Sequence, residues 1–387
     1  MPWKEIRPVE ERMRFIVAVQ QDPRGNFTRL CESFGISRAK GYKWLARFNE
    51  LGPRGLEDRA PVARACPHKT SDAVVDQVVA MRKEHPYDGP KKLRDRLQQQ
   101  QPQLAVPAAS TIGDLLKQRG LIRPRRARVR VPPSLSPLDP CAEPNDVWCT
   151  DFKGHFALGD RTRCHPLTIM DGASRYLIKC EGLSEEKTEP VRMHFERAFR
   201  EFGLPHKIRS DNGAPFASKA LGGLSALSAW WIQLGILPER IEPGQPQQNG
   251  RHERMHRTLK EQTANPPCTS MAEQQRHFDR FRRDYNEERP HEALGQKPPA
   301  TCYEPSRRAM PDRPRAPDYG EDFVVRRTSA KGVFKWKGTR LRAGKPLANQ
   351  PLGLRQTDDD EWELYYGPLL IGVVLVRNGA ARVESLS

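Results

Sequence analysis

The sequence contains no apolar run approaching the ~18 residues that a membrane-spanning helix needs. Nothing in it therefore reads as crossing a bilayer. Its start, "MPWKEIRPVEERMRF", lacks the apolar core of a secretory signal, so a cytoplasmic protein is expected. Cysteine is scarce and scattered, with 8 residues and no C-x-x-C pair. That pattern excludes a zinc knuckle and argues against a disulfide framework. Acid is in short supply too: 48 Asp and Glu stand against 65 Lys and Arg, a formal charge of +17. So basic a chain implies a polyanionic partner, nucleic acid before a membrane surface. What remains is a chain of 387 residues, 37% hydrophobic, long enough for two to four packed domains.

Residues 1–62 read as helical. In "NFTRLCESFGISRAKGYKWLARFNELG" a break at Gly35-Ile36-Ser37 separates two helical periods, and Ser37 can cap the second. The apolar positions of that second period are Tyr42, Leu45 and Phe48, and its polar face carries Arg38, Lys40, Lys43 and Arg47. Helix, short turn and basic helix form a helix-turn-helix signature whose cations would meet DNA. A plain two-helix corner with a solvated basic face is the alternative. A second helical unit occupies 68–124, with Ser110 and Thr111 as caps of its last helix. It is either a spacer or a second DNA-contacting unit. Residues 125–145 form a Pro-rich basic linker, with Arg123, Arg125, Arg126, Arg128 and Arg130 in or beside it. The linker either follows a phosphate backbone or is merely solvated.

From residue 146 to 305 strand-like and helical runs alternate. Three strands suggest an antiparallel meander, and "EPVRMHFERAFREFG" places Val191, Phe195, Ala198, Phe199 and Phe202 on one helical face. A short strand and further helices follow, the order of a mixed-sheet α/β domain. After a Pro- and Arg-rich link, residues 318–387 return to strands that read as a curled sheet or, as expected here, a small β-barrel.

Three acids stand where packing does not require them. Asp151 closes an apolar strand, Asp211 ends another before Asn212-Gly213, and Glu253 lies in a strongly basic helix. Each has an ordinary reading: a strand end, an Asx turn, and a partner for Arg257 four residues on. Adjacent strand ends with a helix leaning across them can also converge all three. Such hard oxygen ligands suit Mg²⁺ or Mn²⁺. Two such ions ~4 Å apart can clamp the attacking and leaving oxygens of a phosphodiester displacement. On the helix after Gly250, periodicity groups Glu253, His256, Arg257 and Lys260 on one face and Met255 and Leu259 on another.

At these residues a resemblance becomes specific. "WCTDFKG", "RSDNGAPF", "PGQPQQNGRHERMHRTLK" and "YNEERPHEALGQKPPA", in that order, are similar to the catalytic core of bacterial DDE-type insertion-sequence transposases, which share the retroviral-integrase, ribonuclease H-like fold. "LCESFGISRAKGYKWLARF", "GLEDRAP", "GPKKLR" and "STIGDLLKQRGL" resemble the helix-turn-helix region of one branch, and "KWKGTRLRAGKPLANQPLGL" resembles its C-terminal domain. The resemblance implies that Asp151, Asp211 and Glu253 are the DDE metal ligands, with Asn249 and Gly250 shaping the entry to the Glu helix and Arg257 and Lys260 contacting DNA. It implies cleavage at transposon ends to free a 3′-hydroxyl, then attack of that hydroxyl on target DNA, by a multimer associated with the nucleoid. Glu253 lies 42 positions after Asp211, longer than the family's mid-thirties spacing, with an insertion expected in "LGGLSALSAWW". Glu239 and Glu242 compete on distance alone, and the "NGRHER" pattern favours Glu253. No zinc is implied. The rival function is a catalytically silent, transposase-derived DNA-binding protein. A ribonuclease acting on RNA–DNA hybrids would share the fold but leave the helix-turn-helix unexplained.

Overall fold

The structure is a computed structural model that describes residues 8–23, 25–58, 70–122, 138–242, 245–377 and 379–385. Most of the expected 125–145 linker, with Arg125, Arg126, Arg128 and Arg130, lies outside the described residues, as does Arg123 beside it. The chain forms two compact units, residues 1–69 and 70–387.

In the first unit, α1 (Pro8–Gln21), α2 (Phe27–Ser33) and α3 (Arg38–Leu51) enclose Phe15, Ile16, Cys31, Trp44 and Leu56. Asn26 caps α2 through the amides of Thr28 and Arg29, and Ser37 caps α3 through that of Lys40. Gly35 takes φ +65 between them, a left-handed turn that glycine adopts without strain. Gly41 is where the two helices cross, since a Cβ there would stand 2.6 Å from Cys31 Sγ. One expectation shifts. Trp44, not Tyr42, is the buried aromatic of α3; Tyr42 is 48% exposed and stacks on Phe27.

The second unit opens with α4 (Asp72–Glu84), α5 (Pro90–Gln100) and α6 (Ala109–Gln118), packed around Val78, Met81, Leu93, Leu97, Ile112 and Leu116. Ser110 and Thr111 do not cap α6: its N-cap is Ala108, and no side chain closes that end.

A mixed sheet follows, built from β1 (Val147–Phe152), the two-residue β2 (Phe156–Ala157), β3 (Arg163–Asp171), β4 (Leu177–Leu183), β5 (Lys207–Ser210) and β6 (Leu237–Arg240). β3 pairs antiparallel with β1, β2 and β4, while β5 runs parallel to both β1 and β6. α7 (Thr188–Phe202) and α8 (Ala226–Gln233) cover one face through Phe195, Phe199, Trp230 and Trp231 over Trp148, Ile169 and Ile208. α9 (Gly250–Thr263) and α10 (Met271–Arg283) cover the other through Met255, Leu259, Phe278 and Phe281 over Met170, Leu177 and Cys180.

The "YNEERPH" stretch begins in a π-turn, Asp284–Glu288. Asn286 exchanges two hydrogen bonds with the Leu177 backbone, and Arg289 reaches the buried Asp88 at 2.9 Å. Arg96 of α5 pairs with Asp88 at 2.9 Å and Asp284 at 2.8 Å. The stretch thus bolts α4–α6 to the mixed sheet. The link after it is no free tether, since Arg308 donates to the carbonyls of Pro205 and Gly235.

The C-terminal strands are β7 (Val324–Arg327), β8 (Val333–Trp336), β9 (Thr339–Arg342), β10 (Pro351–Asp358), β11 (Glu361–Tyr366), β12 (Leu369–Arg377) and β13 (Ala380–Ser385). The expected barrel does not form. β13-β12-β11-β10-β7 is an open five-stranded sheet, and β8-β9 is a separate hairpin. The apolar face that closure would have buried is covered instead by Phe334 and Trp336 of the hairpin and by Leu221, Leu224 and Ile232 of the central domain.

Candidate active site

β1 sets the site. Side chains alternate across a strand, so Trp148 enters the α7–α8 core while Asp151 turns to the side of α9. Asp151 is paired in register with Thr168 on β3. On its other flank β1 pairs in parallel with β5, Cys149 opposite Arg209. Two residues further along each chain stand Asp151 and Asp211, at neighbouring carboxyl ends of parallel strands, where open α/β sheets form their ligand crevice. Asp211 Oδ1 accepts the Gly213 amide at 3.1 Å, and Asn212 donates to the Ile241 carbonyl, tying this turn to the segment that leads to α9.

The two carboxyls are half-buried and electrostatically strained. Burial, then the charge of Asp211, then that of Glu253 push Asp151 up to about 7, against the opposing pull of the Phe152 amide and Lys153. Burial also raises Asp211. An arrangement that makes carboxylates hold protons is one that a cation relieves.

Glu253 sits in the first turn of α9, exposed, with Arg257 and Lys260 exposed at i+4 and i+7. His256 does not join them. The buried stripe of α9 is His252, Met255, His256, Leu259 and Thr263, spaced i, i+3, i+4, i+7 and i+11. Reading His256 with the phosphate-facing residues assigned it to the wrong side. Its i−4 partner His252 and the flanking Met255 and Leu259 were the periodic signal for the buried side.

Both imidazoles converge on one hydroxyl: His252 Nε2 and His256 Nε2 each lie 2.7 Å from Thr168 Oγ1, which donates to the Asp151 carbonyl at 3.1 Å. A hydroxyl has one proton and two lone pairs, so both rings donate from Nε2. Both are neutral: burial and Lys153 push His252 down to about 3, and burial and His252 push His256 lower than its usual value. His256 Nδ1 then presents a lone pair 3.6 Å from Asp151 Oδ2. Thr168 lies in no motif, and no pattern in the sequence singles it out.

The rival acids are otherwise engaged or apart. Glu239 Oε2 is held by Arg209 Nε at 2.5 Å, and Glu242 is exposed. Asp171 is buried and accepts from the Asn145 amide, the Ser174 amide and the Ser174 hydroxyl. Asn249 is buried at the entry to α9 with its side-chain oxygen unpartnered. Among the described residues, no group of three His, Cys, Asp or Glu side chains is drawn together closely enough to hold a metal ion. Asp151 and Asp211 end neighbouring parallel strands, and Glu253 lies exposed in the first turn of α9. Arg38, Lys40 and Lys43 are exposed on α3, with Lys43 and Arg47 each about 5 Å from the Trp44 ring.

Residues 142–246 and 234–299 match integrase core domain families, residues 11–64 a helix-turn-helix domain family and residues 40–116 a homeodomain-like domain family. An uncharacterized 39.2 kDa protein of insertion element IS476 from Xanthomonas euvesicatoria is 31% identical over 240 residues, 60% of this chain; the chain spans 65% of that relative's length. An uncharacterized 31.7 kDa protein of insertion element IS407 from Burkholderia multivorans is 30% identical over 208 residues, 52% of this chain and 71% of the relative. Solved structures that match include the HTLV-2 integrase catalytic core domain in complex with magnesium (TM-score 0.33, 16% identity, 42% of this chain and 98% of that one). A simian T-cell lymphotropic virus intasome chain, from a complex with a PP2A regulatory subunit, matches with TM-score 0.38 and 16% identity over 80% of this chain and 96% of that one. With two-thirds of an insertion-element relative spanned at this identity and the integrase core matched in sequence, the chain belongs to the bacterial insertion-element transposases with an integrase-like core.

Proposed function

We propose that the chain is a DNA transposase that cleaves at transposon ends and joins the freed 3′-hydroxyl to target DNA, with Asp151, Asp211 and Glu253 as its catalytic carboxylates. One observation carries the reading: two carboxyls crowded at adjacent parallel strand ends, each raised by burial, beside a helix whose first turn bears a third. In the first step water attacks a phosphodiester, and the bond to the bridging 3′-oxygen breaks, leaving a 3′-hydroxyl and a 5′-phosphate. In the second that hydroxyl attacks a target phosphodiester, and the target's own 3′-oxygen leaves. Asp151, Asp211 and Glu253 would hold Mg²⁺ or Mn²⁺, two ions in our reading, which supply charge stabilisation to the attacking and leaving oxygens. Arg257 and Lys260, exposed beside Glu253, would hold phosphates on either side of the scissile bond. Thr168, His252 and His256 fix α9 on β1. Arg38, Lys40, Lys43 and Arg47 would read the element's ends, and joining two ends calls for a multimer.

Asp211→Asn is expected to abolish Mg²⁺-dependent cleavage and strand transfer while leaving end binding intact. Glu253→Gln should do the same, whereas Glu242→Gln should keep at least a tenth of wild-type activity, a barrier change of roughly 1.4 kcal/mol or less. Lys43→Glu should weaken end binding and spare the chemistry on ends held at saturating protein. The purified variants, assayed side by side on DNA bearing the ends, decide it. Wild-type protein that binds ends yet never cuts them would establish the silent DNA-binding reading instead.

A further inference from the structure

On the side of α9 away from Glu253 lies a pocket of roughly 500 Å³. Arg251, Arg254 and Thr258 line it, and at 100° per residue Glu253 and Lys260 point about half a turn away. Its walls come from distant parts of the chain: Lys92 from α5, Arg175 from the turn between β3 and β4, Arg251 and Arg254 from α9, and Arg289 from beyond the π-turn. The lining holds five cations and one carboxylate, Glu292, whose Oε1 is taken by Lys91 Nζ at 2.7 Å. Arg289 is answered from behind by Asp88.

Two of the cations, Arg175 and Arg251, are gathered by a backbone oxygen and not by an acid. Arg175 Nη1 and Arg251 Nη1 both donate to the Gly172 carbonyl, at 2.7 and 2.9 Å. That shared oxygen holds two guanidinium groups together without neutralising either. Burial and Arg251 depress Arg175, while burial and Arg289 push Lys92 down to about 8. Like charges held this close repel unless an anion joins them, and planar guanidinium forks match phosphate oxygens.

We propose that this pocket is a second phosphate-binding site of the protein, separate from the three carboxylates, and that it takes a phosphate group of the bound DNA. The DNA assignment rests on the transposase reading; the phosphate site does not. A duplex engaged at Arg257 and Lys260 would then be held from both flanks of α9, so that this helix acts as a wedge between two bound phosphates.

The test uses the full chain with a chelator present, so that no divalent ion contributes, and inorganic pyrophosphate as the probe. Pyrophosphate should raise the thermal midpoint of the wild-type protein. The gain should vanish in Arg251→Gln/Arg254→Gln and shrink in Arg254→Gln, which alters only an exposed side chain. For duplex DNA, the slope of log K against log salt should become shallower by about one for each phosphate that the variant no longer neutralises. Equal pyrophosphate protection of wild type and both variants overturns the site. Protection that disappears while the DNA salt slope stays unchanged overturns the DNA assignment and makes the pocket one for a free polyphosphate. Wild-type protein that takes pyrophosphate but no duplex sinks the transposase reading and the DNA assignment with it, and leaves the pocket standing.

Discussion

One hydroxyl, that of Thr168, joins the strand bearing Asp151 to the helix bearing Glu253. Its removal leaves two buried imidazole N–H groups and a backbone carbonyl without this partner, and each buried unsatisfied group costs about 1–3 kcal/mol. Thr168→Val, nearly isosteric, should therefore lower stability by about 2 kcal/mol or more and slow single-turnover cleavage with little change in end affinity. Thr168→Ser should restore both. A destabilised Thr168→Val enzyme with a wild-type single-turnover rate would make the hydroxyl a packing post only. At this scale a motif made two residues candidates, Asp211 before Asn212-Gly213 and Glu253 after Asn249-Gly250, and the role proposed for them is what the Asp211→Asn and Glu253→Gln variants test. The sequence was harder to read where function rests on burial. His256 shares the helix with Arg257, and its spacing from His252, Met255 and Leu259 is the one signal that it faces inward, because a neutral histidine and a cation look alike until desolvation separates them.

Among elements, the π-turn and the residues after it are decisive, because they join α4–α6 to the mixed sheet through charge rather than apolar area. Asp88 is almost fully buried between Arg96 and Arg289. Burial would raise its carboxyl, but Arg289, Arg96 and Lys92 outweigh it and hold the group below its ordinary value. A carboxyl depressed in the folded state contributes stability that is present above its unfolded value, about 3.9, and is lost as pH falls through the folded one. The α4–α6 unit should accordingly loosen first on acidification below about pH 4, seen as faster amide exchange in α5 before β1 or β3. Asp88→Asn should bring the same loosening to neutral pH, at a cost of about 3 kcal/mol. That is the low end for a broken buried pair, because Arg96 keeps Asp284. Unchanged exchange in α5 of this variant would remove the network from the account. Periodicity in the sequence marks α4, α5 and α6 as amphipathic helices. It is silent on what they dock against, since Asp88 and Arg289 are 201 positions apart.

For the whole molecule, the C-terminal strands are part of the same packed body as the central domain. The sequence shows strands there by alternation, yet barrel and open sheet share that pattern. What decides between them is a distant segment, 221–232, in the stretch where extra helix or loop was expected before Glu253. Leu221, Leu224 and Ile232 fill the face of the open sheet, the Leu221 amide donates to the Ala343 carbonyl, and Gln233 donates to the Tyr366 hydroxyl. Gly222 is a close approach in this seam, with φ +63 and a position where a Cβ would stand only 2.8 Å from Ile371 Cγ2. An alanine there carries both the left-handed backbone penalty and overpacking against Ile371, about 2 kcal/mol or more together. Gly222→Ala should therefore lower the thermal midpoint and expose the seam between sheet and core to protease. Removing residues 318–387 outright should be worse: it uncovers an apolar patch of the kind that drives association, and the shortened chain should elute as aggregate. Polar substitutions at Leu221 and Ile232 should return it to solution. A shortened chain that is soluble and monomeric without those substitutions would mean that the sheet folds as a separate domain and lends the core no stability.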